Sequence, residues 1–178
     1  MQGAMPLTAI YAGIGECYDF EVFQHLLDQE IKRSRRYSEF FSLLLISPDY
    51  SAGEGSDSIE GKAQGFLALM VENVRQELRD TDFIGRYAND LAVVLLHSSA
   101  EEVRVVAERI KERIGRFIFP QELTPGRSRV TFSLGGACFP TDGTDLPSLL
   151  QCCLLALQRA KEAGGDRTIM FQGRASTA

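Results

Sequence analysis

Residues 83–97 read Phe-Ile-Gly-Arg-Tyr-Ala-Asn-Asp-Leu-Ala-Val-Val-Leu-Leu-His. Apolar residues dominate both halves of this stretch. Its middle, Ala88-Asn89-Asp90, contains two residue types that tolerate the left-handed backbone of a tight turn. The pattern predicts two strands, at 83–87 and 91–97, joined as a hairpin. A hairpin in mid-chain requires that part of the surrounding sheet be antiparallel.

The sequence around this hairpin alternates between helix and strand patterns. Residues 41–46 are an unbroken apolar run, typical of a central strand that is buried on both faces. Helical apolar spacing and strand-like runs mark the remaining elements, with helices at 20–31, 66–78, 103–117 and 146–163 and strands at 130–139 and 167–171. The order predicts an α/β (α+β) domain with a five-stranded mixed sheet flanked by helices on both faces. We assign residues 1–19 to a lead-in segment, 20–172 to the domain and 173–178 to a tail.

Composition limits the functions open to this domain. The chain has 178 residues and a net charge of −5. A general nucleic-acid binder needs a surface that neutralises phosphates, so the negative charge argues against one, although a local arginine cluster can still hold a small anion. No apolar run approaches the roughly 20 residues that span a bilayer, and residues 1–8 lack the features of a secretory signal. We therefore expect a cytoplasmic domain with no membrane segment.

The cysteines do not indicate a metal site. Cys17, Cys138, Cys152 and Cys153 show neither a C-x-x-C motif nor the Cys/His spacing of a zinc site. The chain has only two histidines, which makes a histidine-based metal site or catalytic triad improbable on composition. We expect buried, reduced thiols.

Several short motifs occur together in a fixed order. They are Phe23-x-x-x-Leu27-x-x-Glu30-Ile31, Ser42-Leu43-Leu44-Leu45-Ile46, Leu78-Arg79-x-x-Asp82-x-x-Gly85-Arg86-Tyr87, Ala107-Glu108-Arg109-Ile110, Val130-Thr131-Phe132-Ser133-Leu134-Gly135-Gly136 and Ala160-Lys161-x-x-Gly164. With these motifs the chain resembles, over residues 20–172, a GGDEF domain, the catalytic fold of bacterial diguanylate cyclases. The resemblance implies a palm-like βααββαβ core, which agrees with the order of elements read from periodicity.

The chain departs from the family at the catalytic hairpin. The family signature is Gly-Gly-Asp/Glu-Glu-Phe, and the same positions here read Ala88-Asn89-Asp90-Leu91-Ala92. The glycines let the backbone approach the phosphates of the nucleotide, and the acidic residues help to hold the two divalent ions that assist the condensation of two GTP molecules. Only Asp90 remains as a candidate metal ligand. We therefore expect no catalytic residue in this motif, no bound metal and no cofactor.

Other nucleotide-binding positions of the family are also altered. The metal-binding aspartate of the first strand aligns with Ser47, and the next carboxylate, Asp49, lies two residues or about 6–7 Å farther along the strand. Lys161 keeps the residue type of a triphosphate contact. The family's guanine and phosphate contacts of the first loop and second helix align with side chains of different chemistry, at Ala52, Gly55 and Gln64.

A second site of the family, the product-binding inhibitory site, keeps its residue types. Its Arg-x-x-Asp motif ends five residues before the hairpin signature, where Arg79 and Asp82 stand, and its helix arginine aligns with Arg109. The resemblance implies that these residues bind cyclic di-GMP. An arginine fork matches the O6/N7 edge of guanine or a phosphate, and a carboxylate accepts from guanine N1 and N2. We expect Arg79 and Arg109 to grip guanine or phosphate and Asp82 to read the guanine edge.

These observations predict a catalytically inactive GGDEF domain that binds cyclic di-GMP, with the ligand bridging two protomers or a partner signalling domain. Two alternatives stay open. The first is a protein-interaction or dimerisation module of a signalling protein that binds no nucleotide. The second is a diguanylate cyclase with residual activity on GTP.

Overall fold

A computed structural model describes residues 16–49, 59–124 and 129–173, with backbone alone for residues 59–63. Helices and strands alternate along the chain, as the apolar pattern predicts. In chain order they are β1 (Cys17–Tyr18), α1 (Phe20–Tyr37), β2 (Phe41–Pro48), α2 (Ile59–Arg75), β3 (Phe83–Tyr87), β4 (Asp90–Leu96), α3 (Ala100–Arg116), β5 (Phe132–Phe139), α4 (Leu146–Glu162) and β6 (Thr168–Met170).

The sheet has six strands in the order β1-β3-β4-β2-β5-β6, so the expected number of five is wrong. The additional strand is β1, which pairs in parallel with β3 at Ile84 and Gly85. Its two residues, Cys17 and Tyr18, fall in the segment that we assigned to the lead-in. Two residues cannot display an alternating pattern, and this strand is formed by pairing with β3 rather than by its own sequence.

The predicted hairpin is confirmed, because β3 and β4 pair antiparallel from Phe83 and Val94 to Tyr87 and Asp90. The central strand β2 is antiparallel to both of its neighbours, β4 and β5. The outer strand β6 is parallel to β5, so the sheet is mixed, as predicted. All but the last residue of β2 are buried, which agrees with its unbroken apolar sequence.

Helices cover both faces of the sheet. On one face, α2 and α3 pack on alternate residues of β2, including Leu44 and Ile46. On the other face, α1 and α4 pack on Leu43 and Leu45. The successive side chains of a strand point to opposite faces, so β2 contributes to both halves of the core.

Two glycines permit close contact between these layers. A Cβ at Gly135 of β5 would overlap the backbone of Leu157 and lie 2.6 Å from the carbonyl oxygen of Cys153, so α4 lies directly against the strand. A Cβ at Gly85 of β3 would overlap the ring of Phe23 on α1. These positions set the depth at which α1 and α4 pack on the sheet.

Among the helices of the described ranges, none combines the length and the apolar character needed to cross a bilayer.

Candidate functional site

The hairpin that carries the altered signature is closed by two residues. Tyr87 pairs with Asp90, so Ala88 and Asn89 form the loop between β3 and β4. Ala88 has a φ of +53°, in the left-handed region that glycine adopts readily and alanine does not. Arg86 Nε donates a hydrogen bond to the carbonyl oxygen of Ala88 at 2.9 Å. The turn thus keeps a backbone suited to glycine but carries a methyl group at that position.

Asp90 is half-buried and lies close to a lysine. Leu91 pairs with Ile46 across β4 and β2, which brings Asp90 next to Ser47. Burial raises the pKa of the Asp90 carboxyl, whereas a hydrogen bond with Ser47 and the charge of Lys161 act to lower it. Lys161 Nζ in turn donates to Ser47 Oγ at 2.6 Å. The remaining carboxylate of the motif therefore shares its surroundings with a cation that belongs to the protein.

Asp49 directly follows β2, and residues on the β5 side of that strand bind its carboxylate. Ser133 of β5 donates its hydroxyl to Asp49 Oδ1, and the Asp166 N–H donates to Oδ2 at 2.9 Å. Gly165, with a φ of +73°, allows this contact, because a Cβ there would lie 2.9 Å from the carboxylate. Asp49 thus connects the end of β2 to β5 and to the segment between α4 and β6.

The residues around the hairpin do not fit the pair of divalent ions that the family resemblance implies. Such ions need several oxygen ligands, chiefly carboxylates, and the site offers Asp90 beside the ammonium of Lys161. Across the described ranges, no three His, Cys, Asp or Glu side chains are grouped to hold a metal ion. Ala52 and Gly55 lie outside the described residues, as do residues 1–15, and Gln64 is exposed on α2.

The Arg-x-x-Asp segment forms a closed turn between α2 and β3. The Asp82 N–H donates to the carbonyl oxygen of Arg79 at 3.1 Å, and the Arg79 N–H donates to Asp82 Oδ2 at 2.9 Å. Asp82 Oδ1 accepts from the Leu96 N–H at 3.1 Å, which fixes the turn to the end of β4. Asp82 is only 5% exposed, whereas Arg79 is exposed. The carboxylate therefore holds the backbone that carries the Arg79 side chain.

Arg109 is held on the surface of α3 by a glutamate that follows α2. Arg109 Nε binds Glu77 Oε2 at 2.9 Å, and Arg109 Nη2 donates to the Glu77 carbonyl oxygen at 3.2 Å. Arg113 Nε binds the other oxygen, Glu77 Oε1, at 2.5 Å. The hydrogen bonds from Arg113 and Arg109 lower the pKa of Glu77. One carboxylate is therefore shared by two guanidinium groups.

Both predicted arginines adjoin the segment between α2 and β3, Arg79 within it and Arg109 from α3. The charge of Arg79 reaches Glu102 in the first turn of α3, where hydrogen bonds from the Ser99 backbone and side chain are the main causes of a lowered Glu102 pKa. Arg109 follows Glu102 by seven residues, which is two helical turns or about 10 Å along the axis of α3. Arg109 also binds Glu77, two residues before Arg79, so both arginines adjoin the segment between α2 and β3, in which Asp82 is buried.

Sequence reasoning did not identify Glu77 and Arg113. Arg109 and Arg113 have the i, i+4 spacing that places two side chains on one face of a helix. This spacing was a usable signal for a paired cluster on α3. Their shared partner, Glu77, is 32 residues away from Arg109 in the sequence and lies outside α3. No helical spacing connects it to the two arginines, so it could be found only in the folded protein.

A family model described as "Diguanylate cyclase, GGDEF domain" matches residues 18–167. Cyclic di-GMP phosphodiesterase NbdA of Pseudomonas aeruginosa is 24% identical over 151 residues, which cover 84% of this chain and 19% of NbdA. Probable diguanylate cyclase DgcC of Escherichia coli is 25% identical over 157 residues, which cover 88% of this chain and 42% of DgcC. The chain thus spans less than half the length of these curated relatives.

Solved structures agree on the fold. The GGDEF domain of DgcB from Caulobacter crescentus, crystallised with cyclic di-GMP, has a TM-score of 0.76 at 15% identity and covers 96% of this chain and 100% of its own. The active GGEEF domain of a diguanylate cyclase from Vibrio cholerae has a TM-score of 0.75 at 18% identity, over 89% of this chain and 99% of its own. These matches confirm the predicted palm-like fold.

Proposed function

The chain belongs to the GGDEF domain family, and we propose that it is a catalytically inactive member that binds cyclic di-GMP. Arg79 and Arg109 are the ligand contacts in this proposal. Asp82 acts one step away from the ligand, as the residue that positions Arg79. The bound dinucleotide would join this surface to a second copy of the chain or to a partner signalling domain.

The observation that carries the proposal is that both arginines are exposed beside the segment that joins α2 to β3. Arg79 is exposed, and the side chain of Arg109 is 54% exposed. Cyclic di-GMP has two negative charges and two guanines, and an arginine fork can meet either a phosphate or a guanine edge. Related GGDEF domains crystallised with cyclic di-GMP support this choice of ligand.

In this proposal Asp82 supports the binding site and does not read the guanine edge. Both of its oxygens accept backbone N–H groups, and its side chain is almost fully buried. A guanine reader needs to be accessible from solvent, so the burial of Asp82 argues against direct reading of the ligand. The Asp82 carboxylate fixes the backbone of Arg79, so less conformational entropy is lost when the Arg79 side chain binds a ligand.

The shortage of carboxylates around Asp90 supports the loss of catalysis. A cyclase needs divalent ions to neutralise phosphate charge and to activate the attacking hydroxyl. Here Ser47 stands at the aspartate position of the first strand and Leu91 at the second acidic position of the signature, so Asp90 alone remains to attract a metal ion. A methyl group at Ala88 adds bulk at the turn, where the family signature has glycine.

The proposal is tested by calorimetric titration of the protein with cyclic di-GMP and, in parallel, with GTP and Mg²⁺. We expect binding of cyclic di-GMP that Arg79→Ala weakens by a factor of roughly 5–150, because one two-pronged arginine contact contributes about 1–3 kcal/mol. Arg104→Ala is the matched control, since Arg104 is an exposed arginine on the same helix as Arg109. Folding of all variants is checked by circular dichroism.

Two results would overturn the proposal. A folded wild-type protein that binds no cyclic di-GMP would favour the interaction module, for which the adjacent Leu154 and Leu155 on α4, 38% and 40% exposed, are a specific supporting feature. Turnover of GTP that Asp90→Ala abolishes would establish residual cyclase activity instead.

A further inference from the structure

We infer that Glu77 is a positioning residue for ligand binding, which holds one edge of the Arg109 guanidinium and leaves the opposite edge to face the ligand. This inference rests on the proposed binding of cyclic di-GMP and deepens it. It assigns a carboxylate a favourable effect on the binding of an anion, the opposite of what charge alone would predict.

The contacts of Arg109 with Glu77 use one side of its planar fork. Arg109 Nε binds the Glu77 carboxylate at 2.9 Å, and Nη2 donates to the Glu77 backbone oxygen at 3.2 Å. A guanidinium has five N–H donors, so N–H groups on both terminal nitrogens remain for a second, end-on partner. With 54% of the side chain exposed, that end is accessible to a ligand.

Arg113 keeps this arrangement positively charged. It binds the second oxygen of Glu77, and its Nη1 donates to Gln76 Oε1 at 2.6 Å. Two guanidinium groups on one carboxylate leave the trio with a net charge of +1. If Arg113 were absent, Glu77 would cancel the charge of Arg109 and remove its electrostatic attraction for the ligand.

The location of Glu77 makes it a stable anchor. Its side chain is only 15% exposed, and its two hydrogen-bonded arginines favour the ionised form. A long arginine side chain that is already fixed loses less conformational entropy when a ligand binds. The anchor therefore raises affinity through preorganisation, and this gain offsets the repulsion between the glutamate and an anionic ligand.

The test compares Glu77→Ala with Asp80→Ala in calorimetric titrations with cyclic di-GMP. Each change removes one negative charge near the same turn, and Asp80 is exposed. We expect Glu77→Ala to weaken binding about three- to tenfold. Asp80→Ala is expected to leave the affinity unchanged or to raise it slightly. Glu77→Gln keeps an acceptor oxygen for Arg109 Nε, so it is expected to bind more tightly than Glu77→Ala.

The outcomes distinguish the proposed binding of cyclic di-GMP from the positioning role of Glu77. Absence of binding by the wild-type protein would refute the proposed function, and this inference with it. Binding that is unchanged or tighter in both Glu77 variants would refute the positioning role alone, since Glu77 would then be neutral or a competitor.

A second readout needs no ligand. In the NMR spectrum of the free protein, we expect the Nε–H group of Arg109 to be ordered in the wild type and in Glu77→Gln, and mobile in Glu77→Ala. The Nε–H group of Arg104 serves as the internal reference for an exposed arginine. Equal mobility of Arg109 and Arg104 in the wild type would contradict the anchoring role of Glu77.

Discussion

At the scale of single residues, the chemistry of a position depends on which groups surround it after folding. Asp82 aligns with a ligand-binding carboxylate of the family, but its two oxygens accept hydrogen bonds from the N–H groups of Arg79 and Leu96. Ser47 stands at the position of a metal-binding aspartate, and its hydroxyl accepts from Lys161. In both cases a residue of the presumed nucleotide machinery has its polar atoms directed at the protein itself.

The role of Asp82 predicts a large effect on stability. Asp82→Ala leaves two backbone N–H donors without an acceptor, so we expect it to lower the free energy of unfolding by about 2–4 kcal/mol. Urea denaturation followed by circular dichroism measures this change. Asp80→Ala, an exposed aspartate in the same turn, is expected to change stability by less than about 0.5 kcal/mol. A loss of similar size in both variants would show that Asp82 does not fix the turn.

At the scale of helices and strands, α4 packs with its backbone directly on β5. The backbone of α4 lies against Gly135, and the site residue Lys161 is carried by the same helix. Cys153, fully buried on α4, donates its thiol hydrogen to the Leu43 carbonyl oxygen of β2 at 3.3 Å. The position of α4 on the sheet thus determines whether Lys161 reaches Ser47.

A methyl group at Gly135 is expected to push α4 away from the sheet. We expect Gly135→Ala to lower the free energy of unfolding by about 1–3 kcal/mol, because the added Cβ overlaps backbone rather than a flexible side chain. Thermal denaturation measures this effect.

The control for this prediction is Gly115→Ala in the last turns of α3. Among the described residues, the one atom within 4 Å of a Cβ there is Arg129 Nη2, at 3.8 Å. Alanine also has the higher helix propensity, so this variant is expected to gain up to about 1 kcal/mol. If both substitutions destabilise the protein equally, the close packing of α4 is not the cause.

At the scale of the whole molecule, the two candidate sites lie at opposite ends of β3. The turn that contains Arg79 and Asp82 lies just before β3, and the altered hairpin lies just after it; β3 itself has five residues, Phe83–Tyr87. Five residues of strand span about 17 Å. Loss of the metal and nucleotide ligands around Asp90 therefore leaves the arrangement of Arg79, Asp82 and Arg109 intact. In the proposed function, this separation lets a change at one site leave the other site unaltered.

This separation predicts different responses of the folded protein to two nucleotides. Cyclic di-GMP at one hundred times its dissociation constant should stabilise the fold by about 2.7 kcal/mol and raise Tm. GTP with Mg²⁺ is expected to leave Tm unchanged, because Asp90 is the one carboxylate that remains of the hairpin signature and a divalent ion needs several oxygen ligands. Differential scanning calorimetry distinguishes these cases. Stabilisation by Mg²⁺-GTP that Asp90→Ala removes would mean that the hairpin site still binds nucleotide.

The amino-acid sequence by itself determined the main elements, the hairpin and the mixed sheet, because apolar periodicity and turn residues are local signals. It also determined the substitutions from Ala88 to Ala92, since residue identity at an aligned position needs no coordinates. The tertiary structure alone decided that β1 joins the sheet, that the Asp82 carboxylate faces the backbone, and that Glu77 holds Arg109 and Arg113. Each of these depends on contacts between segments that are distant in the chain or on burial. No local pattern encodes such contacts, because their free energy comes from atoms brought together only when the chain folds.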